Sequence, residues 1–241
     1  MKLCQELKKL RRTGYYPALF LGALLAASFP ILNTAIRPEH FIYLQQPALD
    51  ILMDVNWQML AMLNLMFVVV GACILYHTEF TDHAMQKMET LPQHIGCLFA
   101  AKTVLLALSL FVFLAAEGIS FAFCAFYWFG ADHRIILQLF LDMGYAFVLI
   151  LPSVVLMMLL SSLCENLWVS LGIGIIGIFL VTMLPTDRFA LALFPFAMPF
   201  QSLAKTYGDS WAASFLFAAG IQTFAFSMAE TILLSFRRRL A

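Results

Sequence analysis

Apolar residues run almost unbroken from Tyr15 to Ile36. The pattern recurs at about Val55–Tyr76, Thr103–Phe129, Ile135–Leu163, Leu167–Leu184 and Trp211–Phe236. Each run approaches or exceeds the roughly 20 residues an α-helix needs to cross a hydrocarbon core. The pattern predicts an all-α, polytopic membrane protein: a bundle of six transmembrane helices forming a single domain over residues 1–241. The third and fourth runs are long enough to tilt, kink or project beyond the bilayer. Pro30 and Pro152 fall inside runs, where a missing N–H and a ring clash bend a helix.

The polar stretches between the runs carry patterns of their own. Residues 2–12 place Leu3, Leu7 and Leu10 on one face among Lys, Arg and Glu, which predicts a short amphipathic helix lying in the membrane interface. Thr13-Gly14 ends it. Glu79–Thr90 reads as a second amphipathic helix, with Phe80, Ala84 and Met88 on an apolar face. Asp82, Gln86 and Glu89 lie mostly away from that face. Leu91-Pro92 stops the helix, since a residue before proline avoids the helical region. The loop from Arg37 to Asp54 is modest in length and apolar enough to pack on the membrane surface. Between the last two runs, Phe189–Phe200 is too short to cross and is interrupted by Pro195 and Pro199. It predicts a broken segment that dips into the membrane only if other elements cover its backbone. In the fifth run, Ser170, Gly172, Gly174 and Gly177 permit close helix approach.

Composition agrees with this picture: 63% of residues are hydrophobic and 12% charged, with a mean hydropathy of +0.89. Soluble domains are about half apolar and a quarter charged. The zero net charge gives no ground for a nucleic-acid partner. With six spans, the side holding both termini collects Lys2, Lys8, Lys9, Arg11, Arg12, Lys87, Lys102, Arg237, Arg238 and Arg239. The other side has only Arg37, Arg134, Arg188 and Lys205. The excess of basic residues on cytoplasmic loops then places both termini and the 79–92 stretch in the cytoplasm. The basic start and Ala26, Ala27 and Ser28 are read as an uncleaved first span rather than a signal peptide.

Little in the chain suggests catalysis. Gly172–Gly177 has glycines at phosphate-loop spacing without the following Lys-Ser/Thr, so the chain has no means of hydrolysing ATP alone. No GxSxG is present. His77, His83 and His94 are not at ligand spacing, so no metal site is expected. The five cysteines show no CxxC pairing and read as small apolar fillers. Three acids nevertheless fall within apolar runs: Glu117, Asp142 and Glu230. Each costs about 2.5–3.5 kcal/mol on insertion scales, which makes it a candidate for a polar or substrate pathway. Ser120 and Cys124 follow Glu117 at helical spacing, so that stripe should face protein. No basic residue lies at matching depth for Glu117 or Asp142. Pairing with another subunit, a protonated carboxyl and a wet cavity all stay open. Glu230 lies near a helix end, where it could meet Arg237–Arg239 or snorkel.

Glu79, the variable dozen residues, Leu91-Pro92 and Lys102 at the start of the next run together resemble the second-to-third-span connection of type-2 ABC transporter permeases. The amphipathic N-terminus, six runs and broken penultimate segment match the same layout. Short length and the absence of a large outer domain look most like the lantibiotic-immunity (LanFEG-type) permease subunits. The resemblance implies a transport subunit in a bacterial cytoplasmic membrane, not itself an enzyme. It also implies ABC ATPase subunits holding ATP and Mg, and a second permease, identical or homologous. Glu79, Phe80, Asp82, Gln86, Glu89, Leu91, Pro92 and Lys102 would couple the chain to the ATPase. The cargo would be a bacteriocin peptide drawn from membrane lipid. Two readings compete: a proton-coupled secondary transporter using Glu117 or Asp142, and a sensory membrane subunit that moves nothing. Against the first stands the lack of an internal repeat.

Overall fold

A computed structural model of the protein describes residues 10–11, 13–38, 47–80, 95–184, 188–203 and 211–240. Its elements are helices α1 (Tyr15–Ile36), α2 (Ala48–Phe80), α3 (Ile95–Phe129), α4 (Ile135–Leu163), α5 (Leu167–Met183), the short α6 (Phe189–Ala192), a 3₁₀ turn at Met198–Phe200, and α7 (Ala212–Leu240). No strand occurs among the described residues. The all-helical, multi-pass reading therefore holds. The postulated interfacial helix at residues 1–12 lies almost entirely outside the described set.

Among the described residues, five helices have the length and composition to cross a membrane: α1, α2, α3, α4 and α7. The fifth apolar run forms a helix of only 17 residues, about 26 Å long at 1.5 Å per residue, against a core of about 30 Å. Its brevity has a local cause. Leu184 precedes Pro185 and adopts extended backbone (φ −80°, ψ 139°), which ends the helix. At its other end the Asn166 side chain accepts the Trp168 N–H at 3.0 Å, a standard N-cap. By contrast α2 and α3 outgrow their runs, at 33 and 35 residues. The α1 and α4 helices continue through Pro30 and Pro152.

Helix α2 is the centre of the bundle. It packs on α1, α3, α4 and α5 and on the 3₁₀ turn, while α7 leans chiefly on α4. Its apolar stretch is 67% buried, against 17% for α1 and 11% for α7. The outward faces of those peripheral helices carry Phe20, Leu21, Leu25, Phe217 and Phe224. In a bilayer such faces meet lipid tails at no hydrophobic cost. The Asp50–Gln138 contact sets the starts of α2 and α4 at one end of the bundle. Lys102 of α3 meets Leu75 and Tyr76 near the opposite end of α2.

The small residues of α5 act as the spacing suggests, but not equally. Ser170, Gly174, Ile178 and Val181 form its buried face. A Cβ on Gly174 would lie 2.6 Å from Val69 Cγ1 and 3.1 Å from Met157 Cε, so only glycine lets α5 close on α2 and α4. Gly172 faces open space. We expect Gly174→Ala to lower stability by about 1–3 kcal/mol through overpacking and Gly172→Ala to be near neutral. Thermal unfolding in detergent would check both, and equal midpoints would refute this packing.

Candidate functional site

Three polar features interrupt the apolar bundle, and each lies where helices meet. The first is the α2–α3 junction. Glu79 and Phe80 are the last described residues of α2. Phe80 is partly buried against the main core. Asp82, Gln86, Glu89, Leu91 and Pro92 lie outside the described residues. Lys102 sits two turns inside α3 and is fully buried. Its Nζ donates to the Leu75 carbonyl and lies 5.0 Å from the centroid of the Tyr76 ring. Thr78 Oγ1 donates to the same carbonyl at 3.0 Å. A cation near the C-terminal end of a helix is favoured by the exposed carbonyls and the dipole there. Lys102 thus braces α3 against the last turns of α2 and turns inward, into this chain.

The second feature is the broken segment between α5 and α7. Its apolar side chains pack inward: Ala192, Phe196, Ala197, Met198 and Pro199 are buried. Its non-helical backbone needs donors, and three helices supply them. Trp57 Nε1 of α2 donates to the Pro199 carbonyl at 3.0 Å. Ser153 Oγ of α4 donates to Pro195 O at 2.6 Å, and Gln222 Nε2 of α7 to Leu193 O at 2.7 Å. Trp57 and Gln222 are each about 14 Å along their helices from the starts, so the segment dips into the bundle. Irregular backbone survives at this depth only when protein covers it.

The third feature is the set of buried acids. Glu117 of α3 is completely buried. It has a partner in its own chain: Asn64 Nδ2 of α2 donates to Glu117 Oε2 at 3.2 Å. Glu117 Oε1 and Asn64 Oδ1 are sealed and accept no hydrogen bond from the described residues. Asn64 belongs to a line of amides that the sequence reading passed over. Two turns earlier on α2, Asn56 accepts from Asn33 of α1 at 2.7 Å and donates to Leu52 O at 2.8 Å. The eight-residue interval between two asparagines in an apolar run was the available signal.

Asp142 of α4 is 5% exposed, near the end where α2 and α4 begin. One turn before it on α4, Gln138 Nε2 donates to Asp50 of α2 at 3.3 Å. Glu230 of α7 is completely buried, so it does not snorkel. The side chains of Arg237, Arg238 and Arg239 lie outside the described set. Among the described residues no hydrogen bond joins Glu117 to Asp142; Glu117 sits at the α2–α3 contact and Asp142 one turn past the Gln138–Asp50 contact of α4 and α2. Between α3 and α4 runs an almost wholly apolar groove of about 410 Å³, floored by Ala115, Gly118, Ala122 and Gly144.

Two outcomes follow. Asn64→Leu should cost about 1–3 kcal/mol by leaving a sealed carboxylate without its donor. Adding Glu117→Leu should recover part of that loss, and a thermal-unfolding double-mutant cycle with purely additive effects would exclude the pairing. Trp57→Phe keeps the ring but strips the donor from Pro199 O, and should lower the unfolding midpoint more than Phe67→Leu lowers it per atom removed. An unchanged midpoint would show that the indole does not hold the segment.

Comparison with curated proteins and with solved structures gave no match. A family model described as "ABC-2 family transporter protein" matches residues 3–181, from the N-terminal stretch through the end of α5. That span covers most of the chain and takes in the α2–α3 junction, Glu117 and Asp142. A multi-pass helical bundle whose sequence matches this family over such a length is a membrane transport component: the chain belongs to the ABC-2 transporter family.

Proposed function

We propose that the chain is the permease half of an ATP-driven exporter that expels an antimicrobial peptide of the lantibiotic or bacteriocin kind from the membrane, as self-protection. The observation that carries this reading is the family match over residues 3–181 in a sequence with no phosphate-binding loop. The energy then comes from a separate ABC ATPase subunit, which holds the ATP and Mg. Residues 79–92 are the docking element, and Lys102 fixes the helices from which it leaves. A second permease, identical or homologous, completes the pathway. Both termini face the cytoplasm of a bacterial cell, and the Asp142 end faces outward.

A cationic, amphiphilic cargo suits the polar and apolar surfaces of α4. Asp142 follows the Gln138–Asp50 contact by one turn, while Leu139, Met143 and Gly144 line the apolar groove. Such a surface offers a charged head and an oily body separate places.

The test is purification of the tagged chain from its native host in mild detergent, with mass spectrometry of whatever accompanies it. An ABC ATPase is expected to accompany the wild type and to be lost from Glu79→Lys. Recovery of the chain alone from both, even after crosslinking, would overturn the reading. Uptake driven by a proton gradient in vesicles lacking any ATPase would replace it with the secondary-transporter alternative.

A further inference from the structure

Asp50, Gln138 and Asp142 converge where α2 and α4 begin. Asp50 is in the first turn of α2, where the free N–H groups of the helix start favour a carboxylate. Gln138 donates to it at 3.3 Å. Asp142 has no such account. It lies seven residues beyond the start of α4, about 10 Å along the helix and past the reach of the helix terminus. The residue is 95% buried by area, and no described donor hydrogen-bonds to it. Gln138, which reaches Asp50, stands one turn before Asp142 on the same face of α4.

A buried carboxyl group is retained when it is paired, and none of the described residues pairs with this one. Its exposure also differs from that of Glu117 and Glu230. Those two are completely buried, whereas Asp142 keeps 5% of its surface open. A small group from outside can therefore reach Asp142 but not Glu117.

We infer that Asp142, Asp50 and Gln138 form a binding site for a primary ammonium group. The donor count and size favour that ligand. An ammonium is compact and carries three N–H donors, and the second Asp50 oxygen and both Asp142 oxygens are the acceptors on offer. A quaternary ammonium has no N–H and would leave those acceptors unmet. Among the described residues no third His, Cys, Asp or Glu joins the pair to hold a metal ion. The ammonium can come from a lysine or N-terminus of a peptide, or from the ethanolamine headgroup of a lipid. The assignment deepens the export reading and rests on it for the biological source of the ligand.

The full-length protein in phosphatidylcholine nanodiscs, titrated calorimetrically with hexylammonium against an empty-disc blank, tests the site. Wild type should bind hexylammonium about ten-fold more tightly than hexyltrimethylammonium, as expected for charge-assisted hydrogen bonds. Asp142→Asn and Asp50→Asn should each lose that preference. Asp142→Glu should keep part of it, which guards against a variant that merely misfolds. Repeating the titration in phosphatidylethanolamine discs separates the sources. Lost apparent affinity there would show the site holding a lipid headgroup, and unchanged affinity a soluble or peptide amine. Equal binding of the two probes to wild type, or full preference in both Asn variants, would overturn the site. Because binding is read without the ATPase, failure here with ATPase co-purification intact removes the site and leaves the permease reading standing.

Discussion

Lipid tails donate and accept no hydrogen bonds, so every polar group at membrane depth must find its partner within the protein. Helix α2 bears most of that burden because it touches nearly every other element. Asn56 answers Asn33 of α1, Trp57 answers Pro199, and Asn64 answers Glu117 of α3. Near the end of the helix, the Leu75 carbonyl takes Lys102 of α3. The side chains that decide which helix sits where are thus a few amides, one indole and one lysine. The leucines and phenylalanines between them fill volume and leave much of the register to these contacts.

The intramembrane acids illustrate two solutions to one problem. Glu117 is enclosed by the bundle and partly satisfied by an amide from the adjacent helix. That contact fixes α3 against α2 at one point. Asp142 is nearly as buried but keeps 5% of its surface exposed and takes no hydrogen bond from the described residues. The same residue class, placed within apolar runs of similar character, meets different surroundings according to what the neighbouring helix presents.

Much of the architecture is written in local pattern. The apolar runs mark the helices, and Ser170 with Gly174 marks the buried face of α5. Pro195 and Pro199 mark backbone that other parts must cover. The misjudged details depend on register between helices, which spacing along one helix does not contain. That Asn64 meets Glu117, or that Gln138 meets Asp50, follows from two helices sliding to particular offsets. Lys102 looked like a charge at the membrane edge, yet α3 begins earlier than its apolar run and carries the lysine inside. Likewise α2 outlasts its run through Phe80 because the helical backbone needs no apolar side chains to continue.

The broken segment has a mechanical consequence. Its carbonyls are tied to α2, α4 and α7 by three separate side chains within seven residues. A motion that parts any two of these helices at that end must strip a buried carbonyl of its donor. Three helices joined through a common strap behave as one lever. Movement of α1 against the rest breaks none of these three ties.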